Sequence, residues 1–236
     1  MKTIGLLGGM TWESSLEYYR IINQEARKQL EGLHSAKIVL YSVDFYEIDI
    51  LQRQGNWQKA TDILVNACCA LERAGVDFIV MCTNTMHKLA EDIQTHISLP
   101  LLHIAEATGT RIVTQGLQKV ALLGTRFTME EDFYKGKLDE DYHLKVIVPE
   151  KVDRETIHTV IFQELCHGII NPSSKESFLE IIGRCVHKGA EGVILGCTEI
   201  PLLISAQDVS VPVFDTTVIH AQKAFDYAVY DTPVNS

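Results

Sequence analysis

The chain has 236 residues, a length that fits one large domain or two small ones. Its composition, with 46% hydrophobic and 22% charged residues, 15 glycines and 6 prolines, excludes the disordered, collagen-like and coiled-coil classes. The formal net charge of -10, with no local run of Lys or Arg, argues against nucleic-acid binding.

Membrane and metal classes are also disfavoured. No apolar run approaches the roughly 20 residues of a membrane span, and the first segment lacks the features of a signal peptide. We therefore expect a cytoplasmic protein with no membrane partner. The six cysteines show neither C-x-x-C nor paired Cys/His spacing, so no structural metal and no disulfide framework is predicted.

Short apolar runs alternate with amphipathic stretches along the chain, and this rhythm is typical of βαβ units. Because the runs are apolar on both faces, they predict parallel sheets covered by helices, the α/β class. In the first half, apolar runs at 3–7, 37–43 and 78–81 alternate with helix-like stretches at 13–30, 57–74 and 85–95. The rhythm resumes over residues 119–123, 144–148, 154–166, 175–188 and 192–195.

The two halves of the chain resemble each other at three places. Residues 5–9 match residues 121–125 at an offset of 116 (121 − 5), and 75–83 match 189–197 at an offset of 114 (189 − 75). The Pro100 and Pro212 segments match at an offset of 112 (212 − 100). Three matches in order at nearly constant spacing indicate a duplicated half of about 115 residues.

The duplication predicts two pseudo-symmetric α/β half-domains, residues 1–98 plus 216–236 and residues 99–215. The carboxyl ends of parallel strands are where such folds bind ligands, so we expect the active site in a cleft between the halves. The last helix, after Asp215, is expected to pack back on the first half.

Reactive side chains follow the equivalent strand in each half, in Met81–His87 and Leu195–Ile200. Where a strand passes into a helix, the first-turn N–H groups can hold a carboxylate and are expected to lower the pKa of a nearby thiol. The ungapped match pairs Thr83 with Cys197, whereas a shift by one residue would bring in Cys82. The ungapped match is preferred because side chains alternate along a strand and it needs no bulge.

Three motifs carry a family resemblance: Ile4–Met10 followed by Trp12, Thr83-Asn84-Thr85-Met86-His87, and Gly196-Cys197-Thr198-Glu199. With them the chain resembles the cofactor-independent aspartate/glutamate racemase family, nearly from end to end. The family pattern is C-N-T-x-H in the first half and G-C-T-E in the second. Thr83 stands at the first cysteine's position, as in a subgroup that acts on L-aspartate and L-glutamate.

The resemblance implies catalysis without pyridoxal phosphate or metal, an amino-acid substrate with a side-chain carboxylate, and a homodimer. It also implies that Cys197, as thiolate, removes the α-proton of the L-enantiomer. Thr83 then reprotonates the other face, directly or through water or His87, and turnover from the D-enantiomer is expected to be slow because a hydroxyl is a poor base. Family positions that contact substrate correspond to Met10, Gln52, Asn84, Thr85, Thr198 and Glu199.

Other interpretations of the sequence stay open. A racemase of broader side-chain scope, a related single-cysteine decarboxylase and a non-catalytic amino-acid-binding module would each keep much of this pattern. Arg53, next to Gln52, is either a carboxylate contact or a solvated helix residue. Tyr18, Tyr19 and Ile22 repeat at helical spacing and are predicted to pack in the core.

Overall fold

The computed structural model describes residues 1–230, so the end of the predicted first half-domain, 231–236, lies outside the described residues. The chain forms two compact units, Met1–Ile104 together with the chain from His220 onward, and Ala105–Ile219. These two units describe which parts of the folded chain contact each other, and they do not test where one domain ends and the next begins. The domain limits at 98/99 and 215/216 stay a prediction.

The first unit is built on a parallel four-stranded sheet in the order β2-β1-β3-β4. Its strands are β1 (Ile4–Gly8), β2 (Ile38–Ser42), β3 (Phe78–Met81) and β4 (Leu101–Leu102). Its helices are α1 (Trp12–Gln29), α2 (Phe45–Arg53), α3 (Trp57–Arg73) and α4 (Ala90–Gln94). Every residue of β1 and β3 is buried, as expected for central strands with helices on both faces.

The second sheet repeats this arrangement, with parallel strands in the order β6-β5-β7-β8. Its strands are β5 (Lys119–Gly124), β6 (Lys145–Ile147), β7 (Gly192–Gly196) and β8 (Val213–Asp215). The remaining helices are α5 (Ile104–Thr114), α6 (Arg126–Glu130), α7 (Asp132–Tyr142), α8 (Lys151–Gln163), α9 (Pro172–His187) and α10 (Thr216–Tyr230). The predicted pair of similar α/β halves is thus confirmed, because the two sheets have the same strand order, with each strand number four higher in the second sheet.

Four helices, α2, α5, α6 and α7, were not predicted by the apolar pattern. In α7, for example, only Tyr134 and Leu138 are buried, so little apolar signal marks the helix. The predicted helix over 85–95 differs as well: it is a 3₁₀ segment, Thr85–Leu89, followed by the five-residue α4.

The turn after β1 depends on Gly9, whose φ of +92° lies in the left-handed region. A Cβ at this position would lie 2.2 Å from the carbonyl oxygen of Val43, so no other residue fits without a shift of the backbone. The Gly9 N–H donates to Ser15 Oγ (2.7 Å). Gly8-Gly9 is therefore a tight strand-to-helix turn.

The last helix contributes to the core of the first unit. His220 on α10 is fully buried; its Nδ1 lies 2.8 Å from the hydroxyl of Tyr18 and its Nε2 lies 2.9 Å from the carbonyl oxygen of Leu102. Tyr18 and Ile22 are buried as predicted, but Tyr19 is exposed, because it lies on the outer face of α1. No helix within residues 1–230 is long and apolar enough to cross a membrane.

Burial of His220 and His87 makes the stability of the protein depend on pH. Burial lowers the pKa of His87 to about 4 and that of His220 to about 3, where the neighbouring His87 adds to the effect. An unfolded histidine has a pKa of about 6.5. The unfolded chain therefore binds more protons below this pH, and stability falls as the pH is lowered from about 6.5 toward the folded values.

We predict that His220→Gln reduces this acid sensitivity, because glutamine keeps a donor for the Leu102 carbonyl and does not titrate. Between pH 7.5 and 5.5 the unfolding free energy of the variant should fall by roughly 1 kcal/mol less than that of the wild type, measured by urea denaturation. His34→Gln, at an exposed position, is the matched control and should keep the wild-type dependence. Equal dependence in all three proteins would contradict the prediction.

Candidate active site

The register of the two sheets places Thr83 and Cys197 at equivalent positions. In the first sheet Leu7 pairs with Met81, and in the second Leu123 pairs with Leu195. Leu7 and Leu123 are 116 residues apart (123 − 7), the offset of the repeat between β1 and β5. Thr83 lies two residues beyond Met81 and Cys197 lies two residues beyond Leu195, so strand pairing gives the same match as the ungapped alignment.

A tight turn centred on Cys82 ends β3. The Thr83 N–H donates to the carbonyl of Met81 (2.9 Å), and the Cys82 N–H still donates to the carbonyl of Leu7 (2.9 Å). The carbonyl of Cys82 accepts a hydrogen bond from Ser14 Oγ (2.6 Å) at the start of α1. The Cys82 thiol is fully buried, 3.8 Å from the Val80 carbonyl oxygen, and burial raises its pKa well above the ordinary range.

Thr83, Asn84 and Thr85 follow this turn and are all buried. The carbonyl of Thr83 lies 2.7 Å from Nδ1 of His87, within the 3₁₀ segment. Three of the five sequence-predicted site residues of the first half therefore lie in one hydrogen-bonded turn at the carboxyl end of β3.

Met10 and Gln52 lie on other elements of the same unit. Met10, in the segment between β1 and α1, belongs to the buried cluster that includes Met86, and Gln52 is buried on the last turn of α2. Arg53 is a solvated helix residue: its side chain is 71% exposed and pairs with Asp49 at 2.9 Å. Of this adjacent pair, Gln52 is the candidate for a substrate contact.

In the second unit, the site residues form a thiol–carboxylate pair. Oε2 of Glu199 accepts from Cys197 Sγ (3.0 Å) and from Thr198 Oγ1 (2.7 Å). Cys197 and Glu199 are both buried and Thr198 is half-buried. The structure therefore brings all three second-half candidates into one hydrogen-bonded cluster.

The expected lowering of the thiol pKa was wrong. Burial and the negative charge of Glu199 raise the pKa of Cys197 well above its ordinary value. The turn that follows is only a three-residue 3₁₀ segment, Ile200–Leu202, so no long helix adds its positive end there. Cys197 is thus held as a thiol that donates to a carboxylate, and ionising it requires a group that accepts its proton.

Sequence reasoning missed Ser14, which ties α1 to the end of β3. No local pattern could identify it, because its partner, Cys82, lies 68 residues away in the chain. Within residues 1–230, no cluster of three or more His, Cys, Asp or Glu side chains is arranged as metal ligands.

Comparisons with known proteins agree with this arrangement. The family model for Asp/Glu/hydantoin racemases matches residues 7–224. A Yersinia pestis crystal structure, provisionally described as an Asp/Glu racemase, is 55% identical with a TM-score of 0.92, covering 97% of this chain and 100% of its own. An aspartate racemase homologue from Pyrococcus horikoshii is 40% identical with a TM-score of 0.84, covering 97% and 99%.

A more distant relative is described as having a broad specificity. The broad-specificity amino-acid racemase RacX of Bacillus subtilis is 23% identical over 177 residues, which is 72% of this chain and 73% of RacX. Two similar parallel-sheet halves with reactive residues at equivalent strand ends, together with a family match over nearly the whole chain, lead to one conclusion: this protein belongs to the Asp/Glu/hydantoin racemase family and is an amino-acid racemase by family.

Proposed function

We propose that this protein racemises L-aspartate and L-glutamate by proton transfer between two residues, without pyridoxal phosphate or a metal ion. The observation that carries the proposal is the equivalence of Thr83 and Cys197 at the ends of β3 and β7. Inversion of an α-carbon needs one group to take a proton from one face and another to deliver a proton to the opposite face. A duplicated fold with one such group per half is suited to that task.

The first step uses the pair formed by Cys197 and Glu199. The thiol passes its proton to the Glu199 carboxylate, 3.0 Å away, and the resulting thiolate removes the α-proton of the L-substrate. Thr83 delivers its hydroxyl proton to the opposite face of the carbanion. Solvent then takes the proton from Glu199 and returns one to Thr83, which restores the resting protein.

This assignment makes the two directions kinetically unequal. A thiolate beside a carboxylate proton acceptor is a competent base, whereas a threonine hydroxyl has a high pKa and is mainly a donor. Proton removal from the D-enantiomer, which needs Thr83 as base, should therefore be slow at saturating substrate. Since the equilibrium constant of racemisation is one, kcat/KM is equal in both directions, and the lower kcat for the D-enantiomer is matched by a lower KM.

The substrate contacts are part of the same proposal. The carboxylate and ammonium groups of the amino acid are assigned to the two strand-end turns, and the rest of the pocket to residues of the first half. The proposed contacts are Met10, Gln52, Asn84, Thr85, Thr198 and Glu199. Glu199 has a double role, since its carboxylate can hold the ammonium and accept the Cys197 proton.

A broad-specificity racemase is the second candidate. Arg53 is paired with Asp49 and largely exposed, so the proposed side-chain contact beside it is the neutral amide of Gln52. A neutral amide selects a carboxylate less strongly than a guanidinium does. RacX, with its printed broad specificity, is a relative of this chain.

We also propose a homodimer formed through the first unit. Trp12, Leu16 and Tyr19 form an exposed apolar stripe along α1, spaced four and three residues apart, and Trp12 is 64% exposed. The edge strand β2 exposes Leu40 and Tyr41, although they point to opposite faces. Exposed large apolar side chains on a helix and on a sheet edge of one unit are typical of a surface covered by a second copy.

The central prediction concerns α-proton exchange in D₂O, followed by NMR together with optical rotation. The wild type should exchange and invert L-aspartate or L-glutamate, and Cys197→Ala should lower exchange by about 10²-fold or more because the base is lost. Cys69→Ala, which removes a cysteine from α3, should leave exchange unchanged. Binding of aspartate without exchange would favour the binding module, and loss of CO₂ would favour the decarboxylase.

Substrate range separates the first two candidates in the same assay. Exchange restricted to aspartate and glutamate supports the dicarboxylate racemase, whereas comparable exchange of alanine or lysine supports the broad-specificity enzyme. Thr83→Cys should increase exchange from the D-enantiomer, because a thiol is a better base than a hydroxyl at neutral pH. No increase in a folded variant would contradict the role of Thr83.

Glu199→Gln should change turnover and the reactivity of the Cys197 thiol in opposite directions. An amide cannot accept the Cys197 proton, so turnover should fall by about 10²-fold or more. Removing the negative charge also lowers the Cys197 pKa, so alkylation of this thiol by iodoacetamide at pH 8 should become faster. The exposed Glu155→Gln is the control for both, and a slower alkylation with normal turnover would contradict the proposal.

The dimer is tested by light scattering. We expect twice the chain mass for the wild type and a shift toward the monomer for Leu16→Glu, which places a charge in the apolar stripe. Leu33→Glu, at a fully exposed loop position, is the matched control and should remain dimeric. A monomeric wild type would contradict the proposal.

A further inference from the structure

His87 lies four residues after Thr83 and is buried next to the turn that carries Thr83. Its Nδ1 lies 2.7 Å from the carbonyl oxygen of Thr83, and its Nε2 lies 3.2 Å from the backbone nitrogen of Ile104. A carbonyl only accepts and a backbone N–H only donates. The proton of the imidazole is therefore on Nδ1, and the lone pair of Nε2 accepts from Ile104.

Burial keeps His87 uncharged, and two other histidines pack against its ring. His220 packs with its ring centroid 5.7 Å away, and His103 packs at 4.7 Å. Since the Leu102 carbonyl accepts from Nε2 of His220, Nδ1 of His220 is the acceptor for Tyr18. The two imidazoles are thus opposite tautomers, and their lowered pKa values keep both neutral near pH 7.

The turn that carries Thr83 is held on both sides. Upstream, the Thr83 N–H donates to Met81 and the Cys82 carbonyl accepts from Ser14 Oγ. Downstream, the only side chain that the structure shows donating to the Thr83 carbonyl within residues 1–230 is His87. These bonds orient the peptide groups before and after Thr83, and the peptide groups set the direction of its Cα–Cβ bond.

We infer that His87 is a positioning residue: its Nδ1–H holds the Thr83 carbonyl and so aims the Thr83 hydroxyl at the substrate. This inference rests on the proposed function, in which Thr83 is the proton donor. It also corrects the expectation that His87 could relay protons. A relay must take a proton at one nitrogen and release one at the other, but here one nitrogen faces a carbonyl and the other a backbone N–H.

The test compares inversion with exchange for L-aspartate in D₂O. If the Thr83 hydroxyl is no longer oriented toward the substrate, inversion should become slower. Cys197 should still exchange the α-proton of the L-enantiomer from its own face. His87→Leu, which removes the donor, should lower the ratio of inversion to exchange by about 10-fold to 100-fold. Exchange itself should remain, which separates a positioning effect from general damage to the fold.

Conservative variants test which nitrogen of His87 is needed. The amide nitrogen of asparagine can occupy the place of Nδ1, so His87→Asn should restore the ratio toward the wild-type value. Glutamine reaches the place of Nε2 instead, so His87→Gln should keep the ratio low even if His87→Leu does not fold. His220→Gln is the control for a buried histidine in the same cluster and should leave the ratio unchanged.

The outcomes distinguish the role of His87 from the proposed racemase function on which it rests. A wild-type protein without exchange or inversion would overturn the proposed function. A racemising wild type with unchanged ratios in folded His87→Leu and His87→Gln would overturn the role of His87 alone, and so would an asparagine variant as impaired as the leucine variant.

Discussion

Parallel pairing of the two central strands in each half, β1 with β3 and β5 with β7, is the constraint on which the rest of the structure depends. Both members of each pair are buried on both faces, except at Lys119 at the start of β5, so a shift by one residue would draw a flanking residue into the core at one strand end and push an apolar one out at the other. The pairing therefore determines which residue follows the sheet at its carboxyl edge. It places Thr83 and Cys197 at equivalent positions, each two residues beyond the paired end of its own central strand.

The two halves differ in the charge of the groups that contact Cys197 and the turn of Thr83. In the second half, a buried carboxylate raises the thiol pKa and simultaneously offers an acceptor for the proton. In the first half, a neutral imidazole and a serine hydroxyl hold the turn of Thr83 through backbone groups. The base needs a group that accepts its proton, and the donor needs a fixed orientation, so the asymmetry fits the proposed higher kcat for the L-enantiomer.

Burial of the histidine pair links this turn to the last helix. His220 is carried by α10, and it packs against His87 while accepting from Tyr18 on α1. Because both imidazoles are neutral in the folded state, protonating either one opposes folding, and this is the origin of the expected acid sensitivity. Helix α10 thus packs beside the residue that holds this turn, whereas the hydrogen bond to the Thr83 carbonyl comes from His87.

The sequence by itself determined the α/β class, the duplication and the candidate residues, because apolar runs, glycine turns and strand-end motifs are local signals repeated at a constant offset. Helices such as α7, with only two buried side chains, carry too little of that signal to be predicted. The tertiary structure alone decided the ionisation of Cys197, the pairing of Arg53 with Asp49 and the roles of Ser14 and His220. These depend on burial and on side-chain contacts, which residue spacing alone does not reveal.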